Sequence, residues 1–269
     1  MIREGEGRTA LVTGASAGIG RAFAEVLAAQ GYGLVLTARR HDRLEEVARS
    51  LGATHLVPVH VIVADLADPG APGRIVDALA AEHLTVDVLV NNAGYGVPGR
   101  YATTEWGNHQ AFLQVMVVAV CELTHRLLPR MVERGWGRII NVASLAGLVP
   151  APAGHTLYAA SKAFLIRFSE ALAAENAARG VLATAVCPGF TYSEFHDVIG
   201  TRAAVSRLPR VMWMDATTVA AHGYRAAMDG HVVYVNGRLN AVIAWLARVL
   251  PQRLVRSVVR RTGRAYRKI

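Results

Sequence analysis

The sequence predicts an α/β fold, a single doubly wound parallel sheet with helices on both faces and a basic helical extension at the C-terminus. Short apolar runs typical of buried strands alternate with segments of helical periodicity, and no tandem hairpins interrupt this alternation. The length of 269 residues suits one sizeable domain and is short for two. With 52% hydrophobic and 18% charged residues, the composition excludes a disordered or fibrous protein.

The elements can be placed in order from their apolar spacing. Residues 9–13 form an apolar run that a glycine ends, as expected of a buried strand, and residues 18–30 have helical spacing that Gly31 closes. The later predicted strands are residues 33–38, 60–66, 86–94, 137–144, 181–189 and 232–237, and the later helices are residues 42–51, 72–83, 108–133, 157–179, 239–250 and 251–262. Residues 190–229 are predicted to be irregular to helical. Since each helix up to the sixth strand would join parallel strands by a right-handed crossover, the order predicts a doubly wound sheet.

A glycine-rich turn, TGASAGIG at residues 13–20, joins the first strand to the first helix. The first glycine permits a tight turn, and the other two let the backbone approach a pyrophosphate without a Cβ in the way. The following helix would offer its unpaired N–H groups and positive dipole end to that phosphate. The turn therefore predicts a dinucleotide site, with Gly14, Ser16, Gly18, Ile19 and Gly20 as its contacts.

The end of the second strand indicates which dinucleotide binds. An acidic side chain there would bind the adenine-ribose 2′-hydroxyl and favour NAD, but Ala38 holds this position and Arg39 and Arg40 follow it. A guanidinium suits a 2′-phosphate through charge-assisted, bidentate hydrogen bonds. The sequence therefore predicts NADP(H), bound chiefly through Arg39. The alternative is that Arg39 is a solvated loop residue.

Ser144, Tyr158 and Lys162 form the predicted catalytic group. Tyr158 and Lys162 are four residues apart on a predicted helix and share one face. An isolated tyrosine has a pKa of about 10, and a nearby ammonium is expected to lower it. The pair could then give a proton to a carbonyl oxygen or take one from an alcohol. The hydroxyl of Ser144, at a strand end, would polarise the same oxygen.

The order and spacing of TGASAGIG, NNAG (91–94), Ser144, YAASK (158–162) and a Pro-Gly pair resemble the short-chain dehydrogenase/reductase family over residues 8–195. The resemblance implies a Rossmann-type catalytic domain, here residues 1–237, that interconverts carbonyl and alcohol groups with a nicotinamide cofactor. The further cofactor contacts that it implies are Asp65, Asn91, Ala93, Gly94, Tyr158, Lys162, Pro188, Gly189 and Thr191. Asn91 and Gly94 would also fix the sheet edge, and a structural role for Asn92 is as plausible as a ligand role. Family members are often homo-oligomers through the long helices, here residues 108–133 and 157–179.

One position departs from the family pattern. An asparagine is usual thirteen residues before the proline of an L-P-x-M stretch, where it holds a water in a proton relay partly through its main-chain carbonyl. Here Met116 stands at that position. Three interpretations stay open: the relay survives through the main chain, another polar group such as Gln114 or His109 serves it, or the protein is a weak or non-catalytic NADPH-binding sensor or scaffold.

The expected substrate is apolar, such as a lipid-like ketone, a steroid or an aldehyde. The regions expected to form its site are residues 95–107, 145–157 and 190–215, which contain Tyr95, Leu148, Val149, Tyr192, Phe195, Val211, Met212 and Trp213. A sugar-nucleotide epimerase is a weaker alternative, because about eighty residues after Gly189 leave little room for a substrate domain. No metal site is expected, since Cys121 and Cys187 lie in apolar runs without metal-ligand spacing.

The formal net charge of +9 lies in the C-terminal tail. Residues 238–269 hold nine basic residues and no acidic one, whereas residues 1–237 are formally neutral. Arginines alternate with apolar residues at helical spacing in residues 251–262, where Pro251 suits the first helical position, so contact with an anionic membrane surface is one expectation. Packing on the domain, an oligomer contact and a frayed tail are the alternatives. Nucleic acid binding is not expected, because no aromatic platform accompanies the charge.

The N-terminus and the apolar runs indicate where the protein works. The first residues include acidic side chains and no apolar stretch typical of a signal peptide, and no uninterrupted apolar run reaches the length of a membrane span. The expected location is therefore the cytoplasm, with peripheral contact at the inner membrane surface if the tail binds lipid.

Overall fold

The computed structural model describes residues 3–97, 99–154, 156–194 and 209–265, with side chains described as far as residue 259. Within these ranges the strands are β1 (Thr9–Thr13), β2 (Gly33–Ala38), β3 (Val59–Val63), β4 (Val86–Asn91), β5 (Gly137–Val142), β6 (Val181–Cys187), β7 (Phe190–Tyr192), β8 (Trp213–Asp215) and β9 (Val233–Val235). The main sheet has seven parallel strands in the order β3-β2-β1-β4-β5-β6-β9. The strand order reverses at β1, so the ends of β1 and β4 open the crevice in which such sheets bind ligands. The predicted doubly wound parallel sheet is confirmed.

Helices cover both faces of the sheet. They are α1 (Gly18–Ala29), α2 (His41–His55), α3 (Ala71–Ala81), α4 (Trp106–Leu113), α5 (Ala119–Glu133), α6 (Thr156–Asn176), α7 (Ala216–Met228), α8 (Arg238–Val249) and α9 (Gln252–Ala265). On one face α1, α2 and α7 bury Phe23, Leu27 and Leu44 against the strands. On the other face α3, α5 and α6 bury Ile75 and Leu123. The apolar periodicity of these helices thus faces the sheet, as the sequence predicts.

Several strands are shorter than predicted at their carboxyl ends. β3 ends at Val63 rather than residue 66, β4 at Asn91 rather than 94, β5 at Val142 rather than 144, and β6 at Cys187 rather than 189. In each case the strand ends two or three residues before the predicted position. The released residues form the loops at the carboxyl edge of the sheet, where the predicted site residues lie.

The long helix predicted at residues 108–133 is interrupted. A π turn at Gln114–Val118 separates α4 from α5, and π turns often occur at functional positions. The stretch Trp106–Glu133 is long and apolar enough to cross a membrane by length and composition alone. Its buried residues, Phe112 and Leu123 among them, pack into the core, which accounts for its apolar character.

A short ribbon was not predicted. Residues 190–229 contain β7 and β8, which pair in parallel, before α7 begins. The ring of Trp213 stacks on Tyr192 with centroids 4.8 Å apart, so an aromatic contact holds the ribbon together. Pro251 also differs slightly from expectation, because α9 begins at Gln252 and the proline precedes its first residue.

Candidate active site

The three predicted catalytic residues come together at the ends of β5 and α6. Ser144 caps a 3-10 turn at Leu145–Gly147, where its Oγ accepts a hydrogen bond of 3.1 Å from the Ala146 N–H. That turn packs on the α6 backbone, since a Cβ at Gly147 would lie 2.7 Å from the main-chain carbon of Lys162. Ser144 also hydrogen-bonds the Tyr158 hydroxyl. The glycine of the SLAG stretch therefore allows the serine-bearing turn to approach the α6 backbone closely.

The tyrosine is protonated in the ligand-free site. Burial raises the pKa of Tyr158 to about 12, and the hydrogen bond with Ser144 only partly opposes this rise. The expectation that the neighbouring ammonium lowers this pKa is thus wrong for this state. The physical reason is orientation: the Lys162 Nζ lies 5.7 Å from the Tyr158 ring centroid and donates a 2.7 Å hydrogen bond to the Val142 carbonyl instead. A protonated phenol is the form that donates a proton to a carbonyl oxygen.

The lysine is buried and its charge is disfavoured. Lys162 is 5% exposed, and desolvation lowers its pKa to about 8. Beside it, burial raises the pKa of the Cys187 thiol to about 12, so this cysteine is neutral, as expected of a buried structural cysteine. A buried amine with a pKa near neutrality can hold and release a proton, which suits a group that resupplies Tyr158.

The glycine-rich turn has the geometry that a pyrophosphate requires. Gly14 and Gly18 have φ values of +67° and +55°, which other residues rarely adopt. A Cβ at Gly20 would lie 2.3 Å from the Gly14 carbonyl oxygen, so this position needs glycine for packing. No side chain caps the start of α1 and its first turn has no acidic residue, which leaves the positive helix end to a ligand. Ser16, Gly18 and Arg21 line a cleft of about 630 Å³ at this end.

Two arginines flank this turn, and the sequence singled out only one as the main ligand. The Arg39 guanidinium lies 4.0 Å from the Asp65 carboxylate and is largely exposed. Arg40 reaches the turn itself, since its Nη2 and Nε donate to the Ser16 Oγ at 3.1 and 3.3 Å. Arg40 also pairs with Glu194 at 2.8 Å, and Arg43 pairs with the same carboxylate. The residues present thus fit a 2′-phosphate at Ser16, Arg39 and Arg40.

The NNAG segment is mainly structural. The Asn91 side-chain nitrogen is buried and donates to Asn141 at 2.9 Å and to Thr124 at 3.3 Å, so it is committed to the sheet, whereas the Asn91 Oδ1 is buried without a hydrogen-bond partner. The Asn92 amide donates to the Thr13 carbonyl at 2.9 Å, which supports a structural role for this residue. Ala93 and Gly94 continue beside the glycine-rich turn, where a Cβ at Gly14 would lie 2.9 Å from the Ala93 Cα.

A buried polar chain that the sequence did not reveal holds the catalytic helix. Asn141 of β5 accepts from Asn91 and donates to the Ser169 Oγ of α6 at 2.9 Å. Ser169 in turn donates to the Leu165 carbonyl at 2.8 Å. The chain ties β4 and β5 to the helix that carries Tyr158. A polar residue inside the apolar strand GRIINVAS was the signal for it.

Met116 fills the space beside Gly94. Its side chain is 1% exposed, and a Cβ at Gly94 would lie 2.8 Å from its Sδ. It lies within the π turn, which interrupts the regular main-chain pairing at the position of the usual asparagine. Among the described residues, the Gln114 Nε2 and the His109 Nδ1 are buried without a hydrogen-bond partner, so both groups named as substitutes are available.

The expected substrate region contains a narrow cavity beside Tyr158. Its other lining residues are Val97, Gly99, Tyr101, Thr104, His109, Phe112, Gly154, Thr156 and Leu157. The His109 Nε2 donates to the Tyr101 carbonyl oxygen at 3.2 Å, and the Nδ1 is buried without a hydrogen-bond partner. Residues 95–107 and 145–157 both contribute to this cavity, His109, Phe112 and Tyr158 come from α4 and α6, and the role of these regions in binding substrate stays a prediction. Sequence spacing gave no signal for His109 beyond its polarity.

The remaining predicted residues lie in part elsewhere. Tyr95 packs its ring edge-to-face on Phe112 at 5.6 Å and thus supports the cavity from behind. Leu148 packs against the third core cluster, and Val149 is partly buried. Tyr192, Met212 and Trp213 are in or next to the β7–β8 ribbon, and Val211 is exposed. Phe195 falls outside the described residues.

The Pro-Gly pair packs against the serine-bearing turn and α8. The Pro188 carbonyl accepts from the Leu145 N–H at 2.9 Å, which joins it to the serine-bearing turn. The Thr191 hydroxyl donates to the Gly189 carbonyl at 3.2 Å. A Cβ at Gly189 would lie 2.5 Å from the amide of Asn240, a residue of α8 that the sequence did not connect with the site.

Comparisons with known proteins agree with this geometry. A family model described as short chain dehydrogenase matches residues 8–203. Very-long-chain 3-oxoacyl-CoA reductase-B of Danio rerio is 31% identical over 268 residues, which cover 97% of this chain and 82% of that protein. The 3-oxoacyl-[acyl-carrier-protein] reductase of Escherichia coli strain K12 is 32% identical, with 88% and 99% covered.

A solved structure gives the same result for the fold. The short-chain dehydrogenase from Sphingobium yanoikuyae in complex with NADPH superposes with a TM-score of 0.79 at 28% identity, covering 91% of this chain and 96% of that one. The family model, these relatives, the sheet order and the Ser144–Tyr158–Lys162 geometry all lead to one assignment. The chain belongs to the short-chain dehydrogenase/reductase family of oxidoreductases.

Proposed function

We propose that the protein is an NADPH-dependent reductase of an apolar ketone or aldehyde, with Tyr158 as the proton donor. The observation that carries the proposal is the Tyr158 hydroxyl, held by Ser144 beside a narrow cavity that apolar and polar groups line in similar proportion. When bound, NADPH supplies the hydride that adds to the carbonyl carbon. Tyr158 gives its proton to the carbonyl oxygen, Ser144 polarises that oxygen, and Lys162 restores the tyrosine proton. The product is the alcohol.

The names of the similar reductases suggest which substrates to test first. The two reductases described above are named for 3-oxoacyl thioesters, which are apolar chains with a ketone near one end. The test is NADPH oxidation by purified protein against 3-oxoacyl thioesters, steroid ketones, aliphatic aldehydes and, as polar controls, keto sugars. We expect turnover with at least one apolar class and much less with the sugars. Absence of turnover with every compound, while NADPH still binds, would favour a non-catalytic NADPH-binding protein, the second candidate that Met116 motivates.

The cofactor preference gives a first prediction. Replacing both Arg39 and Arg40 with Ala should raise the KM for NADPH by about 10- to 100-fold for each arginine that binds the 2′-phosphate, because charge-assisted hydrogen bonds contribute about 1.5–3 kcal/mol each. The KM for NADH should stay nearly unchanged. The single variants will show which arginine dominates. Arg49→Ala is the control, since this exposed residue on α2 donates only to its own helix at the Glu45 carbonyl. An unchanged NADPH KM in the double variant would contradict the assignment.

The methionine at position 116, where the family usually has an asparagine, gives a second prediction. Met116→Asn should not lower kcat, because the relay in this protein is expected to use the main chain of the π turn or a neighbouring polar group. The variant should be about 1–3 kcal/mol less stable, since it buries an amide in an apolar space. The measurement is kcat at a temperature well below unfolding, with Met116→Leu as the control that keeps the apolar filling. A fall in kcat that Met116→Leu does not share would contradict this expectation.

The proposal places the reaction in the cytoplasm, carried out by a homo-oligomer. The surfaces that we assign to subunit contact are those of α5 and α6, where Val118, just before α5, is 46% exposed and Phe164 of α6 stacks on Phe168 while remaining partly exposed. Size-exclusion chromatography with light scattering of Phe164→Glu against the unaltered protein would test this contact. A mass that does not fall in the variant would exclude α6 from the interface.

A further inference from the structure

The C-terminal helices carry an apolar surface that the rest of the described chain leaves in solvent. Its members, each between 37% and 61% exposed, are Leu239, Val242, Trp245, Leu246, Val249, Leu250, Leu254 and Val258. We propose that this docking surface, with the arginines beside it, binds the anionic surface of a lipid bilayer. The inference does not depend on the reaction catalysed.

α8 is apolar on two sides instead of one. Asn240 and Ala247 are buried on the side that packs against the body, where the Asn240 amide donates to the Asn236 carbonyl at 2.7 Å. The docking-surface residues of α8 follow one another at spacings of three and four and so share a second side, which faces solvent. Arg238 and Arg248 of the same helix are both exposed. A surface helix normally turns polar residues to water, and a contiguous exposed apolar patch marks an interaction site.

α9 divides cleanly between apolar and basic residues. Leu254 and Val258 lie on one side, and the exposed Arg253 and Arg256 lie on the other. In the sequence, three further arginines follow at 260, 261 and 264. A helix of this kind lies in the plane of a membrane interface, with its apolar side among the acyl chains and its arginines at the headgroups.

The charge of the segment distinguishes a bilayer from a second copy of the chain. Residues 238–269 have nine basic residues and no acidic one. Two such segments placed face to face would repel each other, whereas a surface of anionic lipid attracts each arginine. Trp245, 61% exposed in the middle of the patch, is the side chain that membrane interfaces favour most, together with tyrosine.

α8, which carries most of the docking surface, packs against the active-site end of the molecule. Asn240 of α8 packs on Gly189, and a Cβ at Gly237 would lie 3.1 Å from the Met214 Sδ of β8. A bilayer held at α8 and α9 would therefore lie near the β7–β8 ribbon. Deleting the two helices would remove Asn240 from the site, so the test uses point substitutions in the full chain.

The first measurement is flotation of the purified protein with two kinds of vesicle. One consists of phosphatidylcholine alone and the other of equal parts of phosphatidylcholine and phosphatidylglycerol. We expect binding to the anionic vesicles only, with release at high salt because the attraction is screened. Trp245→Asp and the double variant Arg253→Glu, Arg256→Glu should each weaken the partition coefficient by more than about tenfold.

A matched variant controls for net charge. Arg49→Glu with Arg130→Glu makes the same change of charge at two exposed arginines outside the docking surface, and it should keep most of the binding. Wild-type protein should also show a blue shift of its tryptophan emission on anionic vesicles, and Trp245→Phe should lose that shift while still binding. NADPH binding by all variants will show that they are folded.

Four results would overturn the proposal. One is equal binding to neutral and anionic vesicles, and another is the same loss of binding in the Arg49, Arg130 control as in the Arg253, Arg256 variant. The third is a lipid-free dimer that Trp245→Asp converts to a monomer, because the surface would then be covered by a second copy of the chain. Vesicle binding that survives Trp245→Asp would likewise exclude the docking surface.

Discussion

Replacing Tyr158 with Phe is expected to lower kcat/KM for carbonyl reduction by about a thousandfold, while the Kd for NADPH changes little. The reason is that a positioned general acid contributes about 10²–10⁴-fold, and no other described hydroxyl is both protonated and paired with Ser144 in this cavity. Ser144→Ala, which keeps the acid and removes the polarising hydroxyl, should have a smaller effect of about 10- to 100-fold.

The measurement is NADPH oxidation with the best substrate from the panel, together with NADPH binding by fluorescence. Tyr234→Phe serves as the control, because it removes a hydroxyl from β9, away from the cavity.

The direction of the reaction should also depend on pH. Since the pKa of Tyr158 is raised to about 12, the donor form is present throughout the neutral range and reduction should change little, whereas alcohol oxidation should accelerate as the pH rises toward 10. Turnover retained by Tyr158→Phe would exclude this tyrosine as the acid.

Much of the fold and the positions of the site were accessible from the sequence, because they depend on local patterns. The glycine-rich turn needs positive φ at Gly14 and Gly18, and only a few residue types allow that. The backbone geometry of the turn can therefore be predicted from the motif alone. The spacing of Tyr158 and Lys162 on one helix fixes their shared face in the same way. The alternation of strands and helices then places both at the carboxyl edge of one sheet.

What the sequence did not reveal depends on contacts between distant segments. The pKa of Tyr158 was expected to fall, but that expectation counted only the spacing to Lys162 and not the Val142 carbonyl that accepts the ammonium. Arg40 was ranked below Arg39 because the sequence does not show that Ser16 lies within its reach. The Asn141–Ser169 bond joins residues 28 positions apart, and no periodicity marks such a pair.

Burying Lys162 in the active site lowers the stability of the folded protein. Lys162 is buried, and the lowering of its pKa from 10.5 to about 8 corresponds to about 3 kcal/mol of destabilisation in the protonated form. Below pH 8 Lys162 is protonated in both the folded and the unfolded chain, so the full destabilisation from burying its charge applies. Between pH 8 and about 10.5 the folded chain loses the proton first and the cost disappears. The ligand-free protein should therefore gain stability from this group as the pH rises through that window.

Lys162→Met is accordingly expected to abolish most activity, by about 100-fold or more, and yet to raise the free energy of unfolding at pH 7 by about 1–2 kcal/mol. The gain is smaller than the full cost because the Val142 carbonyl loses its 2.7 Å donor. Thermal unfolding of the ligand-free protein at pH 7 and pH 10 would measure it, and the advantage of the variant should shrink at pH 10. Lys162→Arg is the control, since it keeps a charge that cannot be neutralised and should be less stable than wild type at both pH values. If Lys162→Met is instead less stable than wild type at pH 7, the site stabilises the ammonium more than its burial implies. The lowered pKa of Lys162, and with it the role of this residue in returning a proton to Tyr158, would then be contradicted.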